Sequence, residues 1–207
     1  MILSLKSTTA AHKRHHEQQE HHVGSDGSWT SLTVWRKSLV FSCKGFTVID
    51  SGGNLVFRVD NYACRPVEVI LMDASGNPLL TLCRRKSLRL VDDWLVYEGE
   101  RGGWSAKEPI CSVRKHISIL QPSVNVLAHV YHRPSDKRCA YTIEGSYVHR
   151  SCRVLDEKRR VVAEIRRKQA TNGGASFGME VFLLIVRPGF SPSFAMAIVL
   201  LLDQMFS

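Results

Sequence analysis

The chain has 207 residues, 44% hydrophobic and 23% charged, with a formal charge of +9. That apolar share excludes a wholly disordered protein and supplies one sizeable core. The longest unbroken apolar run, Phe194 to Leu202, is far short of the ~20 residues a transmembrane helix needs. "MILSL" is likewise too short for the apolar core of a signal peptide. Residues 1–28 are polar. "HKRHHEQQEHH" holds five of the nine histidines, without carboxylate or thiol partners at fixed spacing, and reads as a solvated tail that binds no metal. Lys6, Lys13 and Arg14 there cancel Glu17, Glu20 and Asp26, so residues 29–207, read as one domain, carry the whole excess charge.

From Trp29 onward the hydrophobic period is two. "LTVWRKS" sets Leu32 and Val34 against Thr33 and Trp35, and "NLVFRVD" sets Leu55, Phe57 and Val59 against Val56, Arg58 and Asp60. Further strand-like runs follow near 66–72, 79–84, 94–98, 110–119, 124–131, 139–145, 147–155, 161–167 and 177–186. Turn signals such as "SGGN", "SGNP" and "TNGG" separate them. About a dozen short strands with regular turns predict a sandwich or barrel. A weak repeat aligns "VIDSGGNLVFRV", "LMDASGNPLLTL" and "VLDEKRRVVAEI" on Asp50, Asp73 and Asp156. Each reads as a hairpin whose Asp binds turn amides while Gly53 or Gly76 takes positive φ. Arg159 replaces that glycine in the third copy, which predicts a different turn. The chain ends on "SPSFAMAIVLLLDQMF". Here Ser191 caps a helix with Pro192 in its first turn, spanning about Ser193 to Gln204. It is apolar all round, so it must be buried on every side, as it would be inside a barrel.

Six cysteines, at 43, 64, 83, 111, 139 and 152, show no C-x-x-C or zinc spacing and are expected to be reduced thiols. No G-x-S-x-G, P-loop, H-E-x-x-H or G-x-G-x-x-G occurs, and the neighbouring Asp92 and Asp93 would point apart on an extended chain. These points argue against an enzyme and against a cofactor. The chemically notable features are basic clusters: Arg84-Arg85-Lys86 with Arg89, Arg114-Lys115-His116, Lys158-Arg159-Arg160 and Arg166-Arg167-Lys168. Arg84 shares a strand face with Lys86, and Arg166 with Lys168. Two such pairs on neighbouring strands would make a compact patch for phosphate, which arginine binds bidentately.

The blocks "LTVWRKSLVFSCKGFTVIDSGGNLVFRVDNY", "ILMDASGNPLLTL", "WLVYEGE", "SVRKHISIL", "YTIEGSYVHRSC", "DEKRRVVAEIRRK", "FGMEVFLLIVRPGF" and "AMAIVLLLDQM" together resemble the plant LURP-one-related family. The resemblance implies a closed antiparallel β-barrel of about twelve strands around a buried C-terminal helix, the architecture of tubby C-terminal domains and phospholipid scramblases. It implies a non-catalytic protein with a role in plant defence or, as an alternative, a membrane-tethered transcription regulator. Tubby-like domains bind phosphoinositides through basic wall residues. Here that implies anionic headgroups as partners, with Arg84, Lys86, Arg114, Lys115, Arg166 and Lys168 as the candidate contacts. No acidic calcium-binding segment or terminal membrane helix is present, so calcium-driven scrambling is not expected. The alternatives are a nucleic-acid-binding protein, which the charge permits but no motif supports, and a protein-interaction scaffold. A monomer is expected in the cytoplasm, peripheral at the plasma membrane, with the nucleus as a second location.

Overall fold

The computed structural model describes residues 27–40, 44–60, 68–85, 93–100, 108–117, 125–169 and 177–207. The expected tail falls almost wholly outside them, as do Lys86, Arg89, Asp92, Cys43 and Cys64.

Twelve strands and one helix follow in order: β1 Thr30–Trp35, β2 Phe46–Ile49, β3 Leu55–Val59, β4 Glu68–Asp73, β5 Pro78–Arg85, β6 Asp93–Glu98, β7 Cys111–Lys115, β8 Val126–Tyr131, β9 Tyr141–Ser146, β10 Ser151–Asp156, β11 Val161–Arg167, β12 Val181–Val186 and α1 Pro192–Phe206. Each strand pairs antiparallel with its sequence neighbours, and β1 closes on β12 through six register pairs from Thr30–Val186 to Trp35–Val181. The period-two pattern sorts side chains between interior and wall. Leu32, Val34, Phe57 and Val59 are buried, whereas Thr33 and Arg58 stand outward, half-buried.

The expected helix is present and slightly longer than its sequence signals suggest. Ser191 Oγ accepts from the Phe194 amide at 3.3 Å, and Pro192 opens the first turn, where its missing N–H is not needed. Nine consecutive residues, Ala195 to Asp203, are buried. They complete all sides of the helix, so α1 runs through the barrel as its core. It joins Phe46, Leu71, Leu82, Trp94 and Phe182 in one apolar cluster. Each fully buried Leu, Ile, Val or Met contributes roughly 1.5–3 kcal/mol.

Two sequence expectations are corrected. The run 147–155 is not one strand, because Tyr147–Arg150 form a turn and β10 begins at Ser151. Arg150 sits at φ 52°, which breaks the extended path. The third hairpin turn, moreover, does not differ from the others. Arg159 adopts φ 63° where Gly53 and Gly76 have 83° and 89°, and its amide donates to Asp156 O at 2.9 Å as theirs donate to Asp50 O and Asp73 O. All three hairpins carry a register shift beside the Asp. The aspartate carboxylates bind the turns directly: Asp50 accepts from the Asn54 amide, Asp73 from the Asn77 amide, and Asp156 from those of Lys158 and Arg160.

Candidate functional site

In a closed barrel of consecutive antiparallel strands, all odd strands run one way. The C-terminal ends of β1, β3, β5, β7, β9 and β11 therefore form one rim. The helix enters at the opposite rim, after β12, and its C-terminus emerges among the odd-strand ends. Contacts fix this direction: Lys115 Nζ donates to Met205 O at 3.1 Å, and Arg36, just past β1, pairs with Asp203 at 3.1 Å.

Arg84, Arg114, Lys115, Arg166 and Lys168 all lie at this helix-exit rim, at or just past the ends of β5, β7 and β11. The rim does not gather them into one spot. β5 and β7 flank β6, and the register Arg85–Asp93–Arg114 brings their ends together. β11 lies four strands beyond β7, so Arg166 and Lys168 stand well apart from the first group.

The members are differently engaged. Arg84 is half-buried opposite Trp94, whereas Arg85 is exposed. Arg114 pairs with Asp93 at 3.6 Å, donates to Pro134 O and stacks on the Tyr131 ring at 4.5 Å. Lys115 caps the helix C-terminus, where a cation complements the helix dipole, and lies 4.4 Å over the Phe206 ring. The Arg166 side chain is 62% exposed beside Glu164. Lys168 donates to Thr33 Oγ1 at 3.1 Å. The remaining cluster, Lys158-Arg159-Arg160, belongs to the opposite rim. Local carboxylates occupy two of its members there, Arg159 with Glu144 and Arg160 with Asp156, both at 2.7 Å.

Among the described residues, Lys and Arg clearly outnumber Asp and Glu at the helix-exit rim, while the two signs nearly balance at the other. The barrel is thus electrically polar along its axis.

Beneath the basic rim lies a polar lock that no sequence motif marks. Asp203, with 1% of its side chain exposed, accepts from Arg36, from the Tyr147 hydroxyl at 3.0 Å and from Ser207 Oγ at 2.7 Å. Arg36 also meets Glu180 at 3.6 Å. Arg150 is buried, donates to Met179 O at 2.9 Å and stacks 4.2 Å from the Tyr147 ring and 4.5 Å from that of Phe182. On the wall, His129 Nε2 lies 3.3 Å from His116 Nδ1. Burial and then the neighbouring imidazole hold His129 below the ordinary value of 6.5. Burial pushes the thiols of Cys111 and Cys152 up to about 12. Among the described residues, no three His, Cys, Asp or Glu side chains converge to hold a metal ion, and no helix is long and apolar enough to cross a membrane.

Comparison with known proteins places this architecture. The profile of the LURP-one-related family matches residues 30–203. Protein LURP-one-related 17 of Arabidopsis thaliana is 50% identical over 188 residues, covering 87% of this chain and 85% of that protein. Protein LURP-one-related 8 of the same plant is 49% identical over 178 residues, covering 84% and 86%. The X-ray structure of another Arabidopsis thaliana protein superposes with a TM-score of 0.59 at 26% identity, covering 84% of this chain and 90% of that one. Twelve closed strands, the threaded C-terminal helix and identity near one half over most of the chain agree, and the chain belongs to the LURP-one-related family.

Proposed function

We propose that this barrel is a non-catalytic protein that associates reversibly with anionic membrane surfaces, phosphoinositide-bearing ones included, through the basic residues of its helix-exit rim and the adjoining wall. One observation carries the reading: Arg84, Arg114, Lys115, Arg166 and Lys168 all lie at or just past the ends of strands running to the same rim. A bilayer is an extended anionic surface, so it can meet basic groups spread around a ring, where a small phosphate could meet only one of them. Each basic residue near an anionic leaflet contributes about 1 kcal/mol. Several acting together give weak, salt-sensitive recruitment, to the plasma membrane in a cell.

The test is vesicle co-sedimentation. Vesicles carrying a phosphoinositide, equally charged phosphatidylserine vesicles and neutral phosphatidylcholine vesicles are compared at low and moderate salt. Both anionic sets should bind and the neutral set should not, and preference for the phosphoinositide would mark a headgroup-specific contact. Replacing Arg166 and Lys168 with Glu should weaken binding by about tenfold. A wild-type protein that ignores every anionic vesicle at low salt would sink the membrane reading in favour of a protein-interaction scaffold. Tight, steeply salt-dependent DNA binding with sequence preference would replace it with nucleic-acid recognition.

A further inference from the structure

Exposed large apolar side chains are not spread evenly over the barrel. Trp35, Leu39, Val40, Ile117, Val148 and Phe177 are each between 41% and 60% exposed. Trp35 ends β1, while Leu39 and Val40 follow it in the connection to β2. Ile117 follows β7, Val148 lies in the β9–β10 turn, and Phe177 precedes β12. Every one is therefore at the helix-exit rim. Among the described residues, only Ile110 breaks the pattern, preceding β7 at the opposite rim. Single exposed apolar residues need no explanation, but a concentration of them bordered by polar groups marks an interaction surface.

Resting on the membrane reading above, we propose that this rim inserts its apolar side chains into the headgroup–acyl boundary of an anionic bilayer, so that the barrel docks end-on. The apolar residues lie among basic ones. Lys37 Nζ lies 5.2 Å from the Trp35 ring, and Lys168 Nζ lies 5.2 Å from the Phe177 ring. An aromatic ring at the interface with an ammonium beside it suits that boundary, because the ring enters the apolar edge while the amine stays with the phosphates. The rim residues sit in turns and connections whose backbone groups require water. Insertion therefore stops at headgroup depth and does not reach the hydrocarbon core.

Charge complementarity selects the bilayer as occupant and sets the polarity. Two of the hairpin turns at the opposite rim carry Asp50 and Asp73, whose carboxyls are held below the usual range by hydrogen bonds from the side chain and amide of Asn54 and of Asn77. They stay charged through mildly acidic conditions and oppose approach to anionic lipid from that side. Among the described residues, one end of the barrel is basic with six exposed large apolar side chains, and the other is mixed in charge with Ile110 alone.

The experiment uses the full chain with phosphatidylcholine–phosphatidylserine vesicles whose acyl chains are brominated to quench tryptophan. Trp35 fluorescence should be quenched on binding, and the quenched component should disappear in Trp35→Phe. Leu39→Ser combined with Val148→Ser should weaken vesicle binding by about tenfold, while Ile110→Ser at the opposite rim should leave it unchanged. All three positions are exposed, so the thermal melts of these variants should overlay that of wild type. If the double variant binds as wild type and no quenching occurs, end-on insertion is overturned while electrostatic association survives. If wild type binds no anionic vesicle, both ideas fall together. If lipid-free protein doubles in mass by light scattering and Leu39→Ser abolishes the doubling, the rim is a dimer interface and the insertion proposal is overturned.

Discussion

The phenol of Tyr147 donates a buried hydrogen bond of 3.0 Å to Asp203, tying the β9–β10 turn to the helix inside the barrel. Arg36 approaches the same carboxylate from the end of β1 at 3.1 Å. A charge enclosed this completely persists only when its oxygens are satisfied, so the lock holds the helix C-terminus at one depth. Tyr147→Phe removes one donor from a buried carboxylate and should cost about 1.5–3 kcal/mol, as for hydrogen bonds to charged groups. Urea unfolding measures this, and a loss below about 0.5 kcal/mol would contradict the lock. Leu200→Asp puts a second carboxylate at a fully buried apolar position of the same helix. Charge burial of that kind should cost more than about 4 kcal/mol and prevent folding.

Arg159 carries positive φ where the matching hairpins use glycine. Its left-handed conformation costs about 1–2 kcal/mol relative to glycine. The exposed Arg159–Glu144 pair at 2.7 Å returns little, because such pairs contribute about 0–1 kcal/mol. Arg159→Gly should therefore stabilise the barrel by about 0.5–1 kcal/mol. The reciprocal Gly76→Ala, whose new methyl would meet nothing within 4 Å, should destabilise by about 1 kcal/mol through conformation alone. Thermal melts of the two variants should shift in opposite directions, and equal shifts would show that φ is not what governs these turns.

The strands and the helix were legible because each rests on a local pattern. Alternation in "LTVW" and "NLVFRV" sorts side chains across a wall, and the all-round apolar α1 has no stable place except an interior. Where local signals compete, the fold departs from the local pattern. Tyr147 and Val148 have strand-forming side chains, yet Arg150 turns the chain at φ 52°, held by a buried stack that only the folded barrel creates. The Asp203 lock was equally hidden, since its donors come from positions 36, 147 and 207. The common rim of Arg84, Arg114, Lys115, Arg166 and Lys168 depends on strand parity, which no local pattern reveals. The commitment of Arg114 to Asp93, and of Lys115 to the helix C-terminus, follows from register and threading.

Thiol chemistry separates buried from accessible cysteines. None of the four described cysteines is in a disulfide. Burial pushes Cys111 and Cys152 up to about 12, Cys83 is also buried, and Cys139 is half-exposed, with its Sγ 3.7 Å from Thr142 Oγ1. Nucleophilic attack requires the thiolate. In native protein at pH 8, Cys139 should react with an aromatic disulfide reagent on the order of a hundredfold faster than Cys111 or Cys152. Peptide mapping after timed quenching checks this, and comparable rates at all three positions would show that the wall opens readily.

His129 gives the folded barrel a pH dependence whose sign is fixed. Burial first, and the neighbouring His116 second, lower its pKa from the ordinary 6.5. Its Nε2 is 3.3 Å from His116 Nδ1, and Arg114 stands opposite in the β7–β8 register, so a proton arriving there meets an already basic wall. The unfolded chain binds that proton more readily. Between the folded value and 6.5 the unfolded state therefore holds more protons, and stability rises with pH. The contribution is complete above about 6.5 and is lost as pH falls through that window. His129→Gln removes the titrating group while keeping a polar side chain on the wall. Urea midpoints measured from pH 7.5 down to 5 should fall less steeply for this variant than for wild type. Parallel curves would show that His129 protonates equally well in both states and that the imidazole pair does not resist charge.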